Sequence, residues 1–247
     1  DQALKLAKRK TNDGQTMEAN HIYQDILKKF PKNKKANAGI RTLSRTIGNS
    51  IAKIQDPPQS LIQPVMNLYK HGQFEQVLNK AAHLLLEFPR SVSLYNIVGA
   101  ANQGLGKLTK AVEAYRKALS IKPDYAEAQN DMGVALQKLG KLDEAIEAFE
   151  KALFFNPNLS NAYFNIGNVL KLQNKPEKAV EAYQRAISIK PDYAEAYYNM
   201  GVALHVQKKL DEAITAYKKA LHYKSDFAEA HNNMGNALKD QGKLKET

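Results

Sequence analysis

From Val92 to Phe227, apolar residues return three and four positions apart, the period of one helical face. In Glu195–Gln207 that face reads Tyr197, Met200, Gly201 and Leu204. In Asp211–Tyr223 it reads Ile214, Tyr217 and Leu221, with Ala213 and Ala220 alongside. Short polar connections such as Leu139-Gly140-Lys141 separate the stretches and leave room only for an antiparallel return. The pattern predicts helix pairs.

The pairs recur at a fixed step. Gly99, Gly133, Gly167, Gly201 and Gly235 stand 34 positions apart each time. Pro89, Pro123, Pro157 and Pro191 keep the same step, with Ser225 in the next slot. So do Tyr115, Phe149, Tyr183 and Tyr217, and two alanine columns through Ala145 and Ala152. A period of this length marks a repeat array, in which no unit buries its apolar stripe alone and neighbours must stack. A glycine inside a helix costs about 1 kcal/mol against alanine. Five in one register therefore predict close approach of the two helices, with Tyr115 or Phe149 as the bulky neighbour. Asp124 with Glu127, Asp192 with Glu195, and Asp226 with Glu229 have capping-box spacing at the start of first helices. Pro176 suits the first position of a second helix.

These residues resemble the tetratricopeptide repeat (TPR) motif, with small residues at Gly133, Ala145 and Ala152, an aromatic at Phe149 and a proline at Pro157. Every full unit from Val92 to Phe227 fits, Ser225 being the one departure. The resemblance, close to bacterial TPR arrays, implies an all-α solenoid of antiparallel helix pairs in a right-handed superhelix, with a concave groove lined by first helices.

The expected organisation is a divergent unit plus an extra helix over 1–47, a linker or hinge over 48–58, and a degenerate unit over 59–91. Units 92–125, 126–159, 160–193 and 194–227 follow, and then a truncated unit over 228–247. In the first, Ala19, Tyr23, Ile26 and Pro31 fall in the slots of Ala145, Phe149, Ala152 and Pro157, and Gly14 in that of Gly140. The extra helix runs from Lys34 to about Ile47, and Gly48-Asn49-Ser50 reads as its break. The chain stops mid-repeat, with Met234 and Leu238 lacking their pair. A fragment of a longer protein is expected, with self-association through that open end.

Charge changes the picture little. The net charge of +11 resolves into +7 over residues 1–58 and +4 over 59–247, so the array itself is close to balanced. The amino-terminal basic residues lack the interleaved aromatics of a single-strand binder, so nucleic acid is not an expected partner. With no cysteine there is no disulfide framework and no thiol site, and no run of about 18 apolar residues spans a membrane. The tyrosine-rich, cysteine-free composition is compatible with a bacterial cytoplasm. The six histidines have no metal spacing, and Asp143-Glu144 and Asp211-Glu212 open second helices, where negative charge suits the dipole. No catalytic constellation, cofactor or metal is expected.

The informative column is asparagine. Two residues before the repeat glycines stand Ile97, Asp131, Asn165, Asn199 and Asn233; three before stand Asn96, Asn130, Phe164, Tyr198 and Asn232; one after, Asn168 and Asn236. These positions flank the small packing residue but turn away from the partner helix. The array is similar to the asparagine ladder of the TPR region of O-linked N-acetylglucosamine transferase at Asn165, Asn168, Asn199, Asn233 and Asn236. In that family the amides clamp an extended peptide backbone. Asp131, Val134 and Val202 depart from it. A carboxamide offers a donor and an acceptor to a peptide group, at about 1 kcal/mol per bond, and Phe164 and Tyr198 would add apolar contact between the amides. The alternative is that these asparagines bond to the adjacent unit or to water. The expected function is a protein–protein interaction scaffold binding extended peptide segments in the groove. A second reading is the substrate-recognition arm of a glycosyltransferase or sulfotransferase whose catalytic domain lies beyond Thr247.

Overall fold

The computed structural model describes residues 2–13, 16–51 and 56–242, in two compact units, 1–56 and 57–247. All regular structure among these residues is α-helical.

In the first unit, α1 (Gln2–Asn12), α2 (Thr16–Lys29) and α3 (Lys34–Ile51) close around Ala7, Ala19, Tyr23, Ala36 and Leu43. Lys10 reaches Glu18 at 2.7 Å between α1 and α2. Asn33 caps α3, its side-chain oxygen accepting from the backbone N–H of Lys35 and of Ala36 at 3.1 and 3.0 Å. The helix expected to end at about Ile47 runs on to Ile51, straight through Gly48-Asn49-Ser50. A single glycine weakens a helix by about 1 kcal/mol without ending it. Of the rest of the expected linker, residues 56–58 are non-helical, while residues 52–55, Gly14 and Lys243–Thr247 lie outside the described residues.

The second unit is a run of helix pairs. They are α4 (Gln59–Lys70) with α5 (Phe74–Glu87), α6 (Val92–Gly104) with α7 (Leu108–Ile121), and α8 (Ala126–Lys138) with α9 (Leu142–Phe155). Next come α10 (Ser160–Leu172) with α11 (Pro176–Ile189) and α12 (Ala194–Val206) with α13 (Leu210–Tyr223), and α14 (Ala228–Asp240) follows. Each helix packs on the next in sequence, and consecutive first helices α6, α8, α10, α12 and α14 also lie side by side.

The repeat glycines have the steric role their register predicts. A Cβ at Gly133 would lie 2.6 Å from Phe149 Cε1, at Gly167 2.5 Å from Tyr183 Cε1, and at Gly201 2.7 Å from Tyr217 Cε1. Phe149, Tyr183 and Tyr217, each on a second helix, lie against the bare backbone of their own first helix, fully buried. Gly235 has nothing within 4 Å of that point among the described residues. Met234 and Leu238, expected to lack partners, pack into the cluster around Tyr217, Ile214 and Leu204. The capping boxes do not form. Tyr125, Tyr193 and Phe227 occupy the N-cap slots of α8, α12 and α14 with no side-chain cap bond. Pro176 opens α11 as its sequence position requires.

Candidate functional site: the open face of the first helices

With each glycine aimed at its aromatic, a turn of 100° per residue carries positions one and five after it, and two and six before it, to the side away from the second helix. That side is open. Asn161, Leu172, Glu195, Val206, Glu229 and Asn236 are all exposed there, in rows that cross the neighbouring helices α10, α12 and α14.

The asparagine column sits along one border of this face, half-buried, and its amides tie neighbouring units together. Asn165 Nδ2 donates to Asn130 Oδ1 at 3.0 Å and Asn233 Nδ2 to the Tyr198 hydroxyl at 3.0 Å, each across one repeat. Asn199 accepts from Lys171 Nζ at 2.7 Å and donates to the Glu195 carbonyl at 3.1 Å. Asn168 accepts from the Tyr183 hydroxyl at 2.8 Å. Asn232 and Asn236 are exposed. Since a carboxamide carries two N–H donors and two acceptor lone pairs, these bonds leave capacity on each group.

Phe164 and Tyr198 point elsewhere than the expected apolar contact between amides. The Phe164 ring packs against Tyr193 and Tyr183 at centroid distances of 4.9 and 5.9 Å, and Tyr198 against Phe227 and Tyr217 at 4.8 and 6.1 Å. Both are wedges between units. Two further polar residues went unnoticed in the sequence. Asn161 is exposed and accepts from the Tyr193 hydroxyl at 3.1 Å, and Lys171 reaches across to Asn199. Their signal was periodicity alone, Asn161 sharing a slot with Glu127, Glu195 and Glu229.

Burial shapes the electrostatics. Desolvation pushes the Tyr183 and Tyr217 hydroxyls up, and Tyr193 up to about 12 with help from Glu195. Tyr183 has Asn168 as partner; Tyr217, facing Val202 in the equivalent slot, has a buried hydroxyl without a hydrogen-bond partner. Desolvation also lowers Lys171. Asp131 is raised, by desolvation first, against the lowering effect of its bond from Asn130 Nδ2 at 3.3 Å. A carboxyl raised by folding binds its proton more tightly in the native state. It therefore destabilises the fold above its native pKa, and the penalty disappears as pH falls below the unfolded value. Asp131→Asn is accordingly expected to stabilise the protein at neutral pH, with the gain vanishing below the ordinary carboxylate range. Urea melts of both proteins at neutral and acid pH measure it, and a gain independent of pH contradicts it.

Among the described residues no group of three or more His, Asp or Glu gathers as a metal site, and no helix is long and apolar enough to cross a membrane. Models of the tetratricopeptide repeat match residues 105–140, 126–159, 167–208 and 205–242, together more than half of the chain. No curated protein sequence matches it. Among solved structures, a crystal structure of MamA is 28% identical over 66% of this chain and 95% of that one, with a TM-score of 0.60. A structure from work on Pseudomonas aeruginosa pilF is 20% identical over 76% of this chain and 87% of that one, at 0.67. YrrB, described as a TPR protein with an unusual peptide-binding site, is 20% identical over 76% and 96%, at 0.58.

Proposed function

The chain belongs to the tetratricopeptide repeat family, and from that premise we propose that this protein-interaction scaffold binds extended peptide segments across the open face of α8, α10, α12 and α14. The observation that carries the reading is the row of carboxamides along that face, repeated on neighbouring helices and retaining donors and acceptors after their bonds to adjacent units. An extended peptide presents the complementary pair at every residue and has no internal bonds to lose. Recognition of this kind reads backbone more than side chains, which suits a scaffold for several partners. The peptide-binding site named for YrrB offers a fold-level parallel.

Replacing Asn165, Asn199 and Asn233 together by Ala tests it. At about 1 kcal/mol per lost bond, affinity for peptides selected from a random display library falls roughly a hundredfold. Because the same amides tie units together, thermal melts of the variant separate lost binding from lost fold. A folded variant with unchanged affinity removes the proposal.

A further inference from the structure

On the open face, the column five residues after each repeat glycine holds Gly104, Lys138, Leu172, Val206 and Asp240. Leu172 and Val206 are 60% and 61% exposed, on adjacent helices α10 and α12, in a row otherwise without apolar side chains. No carboxylate lies within ion-pair distance of Lys138 among the described residues. Neighbouring packed helices run about 8–10 Å apart, so the column has a step of that size. A β-strand, with side chains alternating between faces, puts same-face residues about 6.7 Å apart. A polyproline-II segment, with three residues per turn and about 3.1 Å per residue, repeats one face every ~9.3 Å. Only the second matches the helix spacing.

We propose that the groove selects a polyproline-II segment of a partner protein, with apolar side chains at i and i+3 on Leu172 and Val206. A carboxylate three residues beyond the first of them would face Lys138. The inference rests on the peptide-binding reading above and adds its conformation and side-chain pattern. Such a segment tolerates proline between the anchors. It also leaves its backbone N–H and C=O groups unpaired for Asn168 and Asn236, one helical turn before Leu172 and Asp240. The acidic preference rests on Lys138 alone, since Lys171 is engaged by Asn199 at 2.7 Å and Lys239 stands beside Asp240. Asp240 is held by His205 at 2.9 Å, with Lys208 and Lys239 near it, so its slot calls for no cation.

The test uses fluorescein-labelled twelve-residue peptides made in both chain polarities, with two leucines three apart, an acidic residue three further on, and Pro, Ser and Gly elsewhere. Two control sets place the leucines two apart or exchange the acid for lysine. The three-residue spacing in one polarity is expected to bind at least tenfold tighter than the two-residue spacing. Leu172→Ser with Val206→Ser is expected to remove that advantage, and Lys138→Glu to reverse the preference between acidic and basic peptides. Equal binding at both spacings, no binding by any of these peptides, or affinity indifferent to the double serine variant overturns it. If library-selected peptides still lose affinity in the triple asparagine variant, the broader peptide-binding reading stands while this inference falls.

Discussion

Gly167→Val is expected to destabilise the protein by about 3 kcal/mol or more, whereas Gly235→Val, in the same repeat slot, changes stability by less than about 1 kcal/mol. Intrinsic helix propensity predicts the opposite of a penalty at both, since any Cβ improves on glycine in a helix interior. The difference lies in what the new atoms meet. At Gly167 a Cβ alone sits 2.5–2.9 Å from three atoms of the Tyr183 ring, and that ring is fully buried, with its hydroxyl bonded to Asn168. The ring has nowhere to move without opening the contact between α10 and α11. At Gly235 the space is open among the described residues. Because a repeat array is stabilised by nearest-neighbour terms, weakening one unit in the middle also loosens the coupling across it. Urea melts of the Gly167 variant should broaden or split into two transitions. Equal and small effects at both glycines would mean that Tyr183 yields cheaply and that the register has another cause.

That glycine column shows why so much of the fold was legible in the sequence. Helix pairing inside a unit is a short-range steric matter, with Gly167 and Tyr183 only sixteen positions apart and the same offset repeated down the chain. Contacts between units were harder to read, because they depend on how far one pair rotates on the next. Tyr193 and Phe227 look like residues after a capping Asp, yet they are the N-cap residues themselves, held by rings on the neighbouring helix. Phe164 and Tyr198 fell in a column read as groove-facing and proved to be the rings they pack against. The turn after each first helix hides a similar lesson. Its left-handed residue is Gly72, Gly106 or Gly140 in three units but Asn174 and Lys208 in the next two, so the backbone kept the slot while the sequence dropped its marker. In the candidate site the carboxamides were visible by spacing, and the bonds to adjacent units that partly occupy them are those the alternative reading named.

Phe227→Ala is expected to release α14 from the array while leaving the pairs before it folded. The ring is 9% exposed and lies in a cluster with Ala220 and Ala230, packed by Tyr197, Tyr198 and Leu221. Its truncation is the kind of change that costs about 3–5 kcal/mol in a core. Among the described elements α14 touches α12 and α13 only, so this loss falls on the one set of contacts that docks it. Tyr193 occupies the same slot one repeat earlier, but there α12 is held on both sides, by α10 and α11 and by α13 and α14. Tyr193→Ala should therefore lower the stability of the whole cooperative unit instead of freeing one helix. Hydrogen exchange distinguishes the two outcomes: in the Phe227 variant the amides of α14 lose protection while those of α10 keep it. In the Tyr193 variant protection falls throughout. The functional consequence follows from the same geometry. Releasing α14 takes Asn232, Asn233 and Asn236 out of the row, so peptide affinity should drop as far as it does when Asn233 is substituted, and further. Protection in α14 that survives Phe227→Ala would show that Met234 and Leu238 hold the helix without the ring.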